Sequence, residues 1–264
     1  FSTANTDLSA AVLGVTTTTE RTSVINDIIG DSLDWKVGDV LHSQPAVVHY
    51  DTDADGDDDV SYIFVGTNGG LMHAFYDTDG SETWGFIPPD QLSRLQLLSD
   101  STTDHDYYVD GPPSVYDSGT AKTLFFGERR GGYNYYALDI TDPTAPGYKY
   151  SIGQGLLAAV DTDGDGTVDG SDANLGQSWA TPTNHTIRTG TGTSDYEDVL
   201  LLPGGYDTNQ DLDTPAAADT AGRAVFAVDV TDGSVSSLNF NAANFSGMNN
   251  CFTDVMGFDS NGDS

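Results

Sequence analysis

Phe64-Val65-Gly66-Thr67-Asn68-Gly69-Gly70-Leu71-Met72-His73-Ala74-Phe75-Tyr76-Asp77 reads as the end of one β-strand, a Gly/Asn turn and a second strand, and both halves return downstream. Phe125-Phe126-Gly127 precedes Ala137-Leu-Asp139-Ile-Thr141, and Leu202-Pro203-Gly204 precedes Ala227-Val-Asp229-Val-Thr231. Around each copy the β-branched and aromatic runs, split by Gly, Asp and Asn, predict four strands. The first set is Ala46 to Tyr50, Tyr62 to Gly66, Leu71 to Tyr76 and Thr83 to Ile87. The second is Pro113 to Tyr116, Thr123 to Gly127, Tyr133 to Ile140 and Tyr148 to Ile152. The third is Thr183 to Arg188, Asp198 to Pro203, Ala224 to Val230 and Val235 to Phe240. Each set opens near a proline, at Pro45, Pro113 and Pro182. A four-stranded unit returning in this way is the pattern of β-propeller blades, with an irregular β-sandwich as the alternative. The expected fold is therefore all-β, a quinoprotein-like propeller of four-stranded antiparallel blades. Blades fall at about 35–90, 105–152 and 175–242, after a 1–34 lead-in with a short helix, and residues 35–264 make a partial propeller. Helix-like apolar spacing is confined to Thr22 to Ile29, closed by Gly30, and Pro89 to Leu98.

Between the first two strands lies Asp51-Thr-Asp53-Ala-Asp55-Gly56-Asp57-Asp58-Asp59. Alternate carboxylates closing on a glycine turn suit a hard cation that takes six to eight oxygen ligands, above all calcium. Asp51, Asp53 and Asp55 occupy positions one, three and five, Asp57 offers its backbone carbonyl at position seven, and Asp59 closes the loop. Position twelve is Tyr62, so this is not a helix-loop-helix EF-hand. A second loop offers Asp161, Asp163 and Asp165, the Thr167 carbonyl, and either Asp169 or Asp172 to close. A third begins in the phrase Val255 to Ser264, which repeats Val47 to Asp55. It supplies Asp259, Asn261 and Asp263 but no turn glycine or closing carboxylate. A fourth blade is thus expected to start near residue 250, and the chain to be a fragment that starts inside a longer precursor. The bland reading of each loop is a solvated acidic turn, in which the packed carboxylates would raise one another's pKa.

The balance of 9 Lys+Arg against 41 Asp+Glu gives a net charge of −32, spread along the chain. Such a surface repels nucleic-acid phosphates and anionic membranes, so neither is an expected partner. Cys251 is the single cysteine, which excludes an internal disulfide, a haem-attachment pair and a zinc pair. No apolar run is long enough to span a bilayer, and Ser2 to Thr19 lacks the basic start and compact apolar stretch of a signal peptide. Millimolar extracellular calcium suits loops of this kind, so an exported, extracellular location is expected. The five histidines, His42, His49, His73, His105 and His185, show no metal spacing, and His49 and His73 within strands are expected to be structural.

A family resemblance is carried by phrases in order. They are Asp34-Trp-Lys-Val-Gly-Asp-Val-Leu-His42-Ser-Gln-Pro45, the opening segment from Phe64, Tyr108-Val-Asp110-Gly-Pro-Pro113, Gly131-Gly-Tyr-Asn-Tyr-Tyr-Ala137-Leu-Asp139, Leu175-Gly-Gln-Ser-Trp179-Ala-Thr-Pro182 and Gly204-Gly-Tyr-Asp207. From about Arg21 onward the chain resembles the C-terminal propeller of the PilY1/PilC proteins of type IV pili. The resemblance implies a calcium-dependent adhesin at or near the pilus tip that also supports pilus biogenesis. Its implied partners are minor pilins or the pilus tip and a surface or host ligand. It also implies calcium loops that close at their ninth position, here Asp59 and Asp169. The Arg-Gly-Asp adhesion tripeptide is absent, Arg130-Gly131-Gly132 standing as the nearest phrase, so host-integrin binding is not implied.

Two rival classes share some of these features. Ala74 to Trp84 resembles the tryptophan-docking repeat of quinoprotein dehydrogenases, but one cysteine cannot form their vicinal pair. Lys36, Arg129 and Arg130 are the basic residues that could hold the quinone's carboxylates. An acidic extracellular matrix or surface-layer protein would share the loops and the charge but not the ordered phrases. No nucleophile constellation stands out, and the chain is read as non-enzymatic.

Overall fold

The computed structural model describes residues 1–30, 37–53, 55–99, 105–153, 175–188, 192, 195–212, 219, 221–234, 240–241 and 253–255. The chain divides into two compact units, Phe1–Asp110 and Gly111–Ser264.

In the first unit, β1 (Ala46–Tyr50), β2 (Val60–Gly66), β3 (Met72–Tyr76) and β4 (Glu82–Phe86) form an antiparallel sheet in sequential order. Pairing of Ala46 with Phe64 and of Phe64 with Ala74 fixes the register. Because side chains alternate along a strand, Val48, Tyr50, Tyr62, Phe64, Met72 and Ala74 share one buried face. Aromatic rings run across that face. Tyr50 meets Tyr62 edge-on at 5.7 Å, Tyr62 meets Tyr76 at 5.4 Å, and Phe64 meets Trp84 at 5.7 Å. Such cross-strand pairs are the stabilising unit of a sheet. The opposite face is half open: Ile63 and Phe75, cross-strand partners there, are only partly buried.

Two helical segments accompany this sheet. The lead-in helix α1 (Thr18–Ile28) begins four residues before the expected Thr22 because Thr17 and Glu20 form a capping box. The Thr17 hydroxyl accepts from the Glu20 amide at 3.2 Å, and Glu20 Oε2 accepts from the Thr17 amide at 2.9 Å. This reciprocal pair satisfies two orphan donors, a stronger start signal than the apolar spacing that begins later. The second segment, Pro89–Ser99, is a 3₁₀ helix. Arg94 donating to Gln91 Oε1 at 2.7 Å suits a helix whose i and i+3 side chains eclipse. Leu13, Ile25 and Leu95, all fully buried, join the two segments.

The second unit holds two more sheets of the same sequential order. One comprises β5 (Ser114–Asp117), β6 (Lys122–Gly127), β7 (Tyr135–Asp139) and β8 (Gly147–Ile152). The other comprises β9 (Thr183–Arg188), β10 (Tyr196–Pro203), β11 (Ala224–Asp229) and β12 (Phe240–Asn241). The expected fourth strand of this set, Val235 to Phe240, lies mostly outside the described residues. Phe125, Tyr135, Ala137 and Ile152 of one sheet pack with Leu200, Leu202, Phe226 and Val228 of the other in one buried cluster. The Tyr150 hydroxyl spans the pair to the Val230 carbonyl at 3.1 Å, and the Tyr116 hydroxyl donates to Asp198 at 2.6 Å. Leu124, Phe126, Tyr136 and Leu138, on the other face of the β5–β8 sheet, are buried as well.

The repeated glycine after each second strand has one cause in the first two sheets. A Cβ at Gly66 would lie 2.4 Å from the Val109 carbonyl oxygen, and one at Gly127 2.5 Å from that of Ser178. The segment leading into the following sheet crosses the strand end at a distance only glycine permits.

Among the described residues the fold is thus all-β apart from these helical segments and two short 3₁₀ turns, Arg129–Gly131 and Thr208–Asp211, with three antiparallel four-stranded sheets. Among the described residues none of these sheets closes on itself.

Candidate metal site

The β1–β2 connection is the loop that the sequence singles out. Its ends are clamped by the Asp59 amide donating to the Tyr50 carbonyl at 2.9 Å, so Asp51 leaves β1 and Asp59 enters β2 side by side. Gly56 supplies the turn with φ of 98°, a left-handed value disfavoured for other residues. Side chains then cap the loop's own backbone. Asp51 Oδ2 accepts from the Gly56 amide at 2.9 Å, Asp53 Oδ1 from Asp55 at 3.2 Å, and Asp55 Oδ1 from Asp57 at 2.9 Å. Asp59 Oδ2 accepts from both the amide and the hydroxyl of Thr52, at 2.8 and 2.6 Å. Those Thr52 bonds, the hydroxyl first, hold the Asp59 carboxyl below the ordinary carboxylate range, so it stays charged.

The outcome gathers three exposed carboxylates. Asp51, Asp53 and Asp59 each place an oxygen within 4.8 Å of the others. Three charged oxygens at that spacing repel unless a cation sits among them, and an all-oxygen donor set fits a hard ion. Asp55 and Asp57 belong to the same loop but not to this cluster; the Asp55 carboxylate oxygen is turned to the Asp57 amide. The second loop, Asp161, Asp163, Asp165, Thr167, Asp169 and Asp172, lies outside the described residues, as do Asp259, Asn261 and Asp263.

Two histidines are tied into the first sheet by hydrogen bonds. His73 is buried in β3 between the Thr67 hydroxyl at 3.1 Å and Glu82 Oε1 at 2.6 Å, and His49 Nδ1 meets the Ser61 hydroxyl at 2.7 Å. One arrangement escapes sequence reading. His42 Nδ1 lies 2.5 Å from Oδ2 of Asp110, whose side chain is 1% exposed. Asn68 donates to both Asp110 and Asp39, at 3.3 and 3.2 Å, and His105 Nε2 lies 2.6 Å from Asp39. This network ties the segment before β1, the β2–β3 turn and the segment 105–110 together. Its members stand up to 68 positions apart, so spacing gave no signal. The buried Ser43 hydroxyl, next to His42 in the chain, accepts from the Gly66 amide at 3.0 Å and so joins the segment before β1 to the end of β2.

No family model matches the chain. Curated relatives do. It is 34% identical over 142 residues to the type IV pilus biogenesis factor PilY1 of Pseudomonas aeruginosa, a match covering 44% of this chain and 12% of that protein. It is 37% identical over 90 residues to a PilY1 homolog of Xylella fastidiosa, covering 32% of this chain and 7% of the relative. Among solved structures, the crystal structure of the P. aeruginosa PilY1 C-terminal domain aligns at 26% identity and a TM-score of 0.41. That alignment covers 67% of this chain and 29% of that one. The likeness carried by the ordered phrases is therefore a sequence similarity to PilY1 proteins. The match spans about an eighth of the P. aeruginosa relatives' length, 12%. Among the described residues no helix is long and apolar enough to cross a membrane.

Proposed function

We propose that this chain forms part of a calcium-binding β-propeller in a type IV pilus-associated protein that mediates surface attachment and supports pilus biogenesis. The observation that carries this reading is the similarity to proteins named type IV pilus biogenesis factors. Three consecutive four-stranded sheets, each ordered as the chain runs, support the propeller. The close approach of Asp51, Asp53 and Asp59 supports the ion.

In this reading the chain's own residues prepare the site before any ion arrives. The Tyr50–Asp59 backbone bond holds the loop ends together, and the Gly56 turn lets the loop double back so that the Asp51, Asp53 and Asp59 carboxylates approach one another. Calcium, when bound, neutralises those charges and ties the end of β1 to the start of β2. The partners are minor pilins or the pilus tip and a surface or host ligand, at an extracellular location. In this reading the chain acts by binding and not by catalysis.

The test is made in the source bacterium. Deleting the segment that encodes this chain abolishes pilus-dependent attachment, and an antibody raised against it labels filament tips in negative-stain images. Uniform labelling along filaments, or attachment unchanged by the deletion, overturns the reading.

A further inference from the structure

In a chain of net charge −32, Arg129 and Arg130 are the one adjacent pair among 9 basic residues, and the fold collects aromatic side chains around them. The Arg129 and Arg130 guanidinium carbons lie 5.0 and 5.9 Å from the centroid of the Trp179 ring, within cation–π range. Tyr206 lies 5.1 Å from the same ring. Three distant segments are fastened to make this. The Arg129 amide donates to the Ser178 carbonyl at 3.0 Å, and Gln177 and Tyr206 exchange backbone bonds at 2.8 and 2.9 Å. The Gln177 side chain fixes the indole by accepting from Trp179 Nε1 at 3.0 Å while donating to the Arg130 carbonyl at 3.2 Å.

Two further observations point to a ligand. Arg129 has φ of 53°, the one non-glycine residue with a left-handed backbone among those described. Strain of that kind persists where the surroundings over-determine it, and it concentrates at binding sites. The second observation is a carboxylate already seated. Asp211 Oδ1 accepts from Arg130 Nη2 at 3.0 Å and from the Tyr206 hydroxyl at 2.9 Å, so two donors from separate segments converge on one oxygen. Desolvation, and then the bond to Asp211, raises the Tyr206 pKa above the usual phenol value, which keeps its hydroxyl a donor. The ion pair is half in solvent, with the Arg130 and Asp211 side chains 44% and 45% exposed, so an external carboxylate can compete.

We propose that Arg130 and Tyr206, backed by the Trp179 ring, form a subsite for the carboxylate of an acidic sugar, and that Asp211 fills this subsite when no ligand is present. The guanidinium fork and the phenol take the carboxylate oxygens, and the Trp179 and Tyr206 rings, both only partly buried, border the site with apolar surface for the C–H face of a pyranose. The chain's net charge repels a polyanion at long range, so recognition works at physiological salt, where the Debye length is about 8 Å.

The probe is an oligomer of galacturonic acid, with its methyl-esterified form as the neutral control, titrated into the full chain by calorimetry in calcium and again in chelator. The acidic oligomer binds in both buffers and the ester does not. Arg130→Ala weakens binding at least about tenfold, and Asp211→Asn tightens it about threefold or more by removing the competing charge. Circular dichroism shows both variants folded. Four results overturn the proposal: equal binding of the ester; binding that vanishes in chelator yet ignores Arg130→Ala, the mark of calcium bridging; weaker binding in Asp211→Asn; or binding only of a peptide with a free C-terminal carboxylate.

Discussion

The acidic β1–β2 loop and the Arg129–Trp179 cluster are opposite solutions to holding like charges together. The loop places Asp51, Asp53 and Asp59 within 4.8 Å of one another through bonds made inside nine consecutive residues, and its carboxylates face solvent. The cluster draws its parts from positions 129–130, 177–179 and 206–211, which meet only because the β5–β8 and β9–β12 sheets pack face to face. One charge group is built by local turn chemistry and the other by tertiary structure. Disturbing the core should therefore remove the second and spare the first.

The largest expected effect breaks that core. Phe226 is 1% exposed and sits in the cluster between the two sheets. Phe226→Ala should lower stability in urea titrations by about 3–5 kcal/mol, the usual cost of deleting a buried aromatic ring. A cost near that of a surface change would mean the sheets do not depend on this packing.

Next in size is the loop. Asp53→Ala should leave the melting temperature in chelator unchanged or slightly raised, since one like charge is removed. It should lower the calcium-dependent gain, which for the wild-type chain reaches about 2.7 kcal/mol at a hundredfold excess over Kd. Unfolding of Asp53→Ala in calcium would show the loop to be integral to the core.

A smaller effect sharpens the join between the two sheets. The Tyr116 hydroxyl donates to Asp198, which pushes the phenol pKa up to about 12. The Thr186 hydroxyl first, and then Tyr116, hold Asp198 below the carboxylate range. Tyr116→Phe should cost about 1.5 kcal/mol at neutral pH. The sign differs at each end. Asp198, depressed on folding, contributes stability present above the ordinary value near pH 4 and lost as pH falls through its folded pKa. Tyr116, raised on folding, contributes stability present below about pH 10 and lost as pH rises toward 12. The wild-type advantage in urea titrations should form a plateau with both shoulders, and a flat difference from acid to alkali would remove the assigned bond.

What the sequence disclosed follows the same division. Strands such as Ala46–Tyr50 and Thr183–Arg188 were legible to the residue, because β-branched and aromatic runs bounded by turn residues carry their own punctuation. β2 begins at Val60, two residues before the expected Tyr62, since the clamp between Asp59 and Tyr50 extends pairing to the loop's edge. Burial is less legible than pairing: Ile63, Val65 and Phe75 share one face of the first sheet, yet Val65 is buried and the other two are partly open. Periodicity shows which residues share a face but not which face is covered. The carboxylate loop could be read because its ligands are neighbours in the chain. His42 with Asp110, or Arg130 with Trp179 and Asp211, could not, because nothing in linear spacing announces a contact between segments far apart in the chain.

The most direct test of the calcium loop is stoichiometry. Calorimetric titration of calcium into the full chain is compared with the same titration of a variant carrying Asp51→Asn, Asp53→Asn and Asp59→Asn together. The account predicts that the variant, still folded, binds one calcium ion fewer. An unchanged stoichiometry, or no calcium bound by the unmodified chain at millimolar concentration, would contradict it.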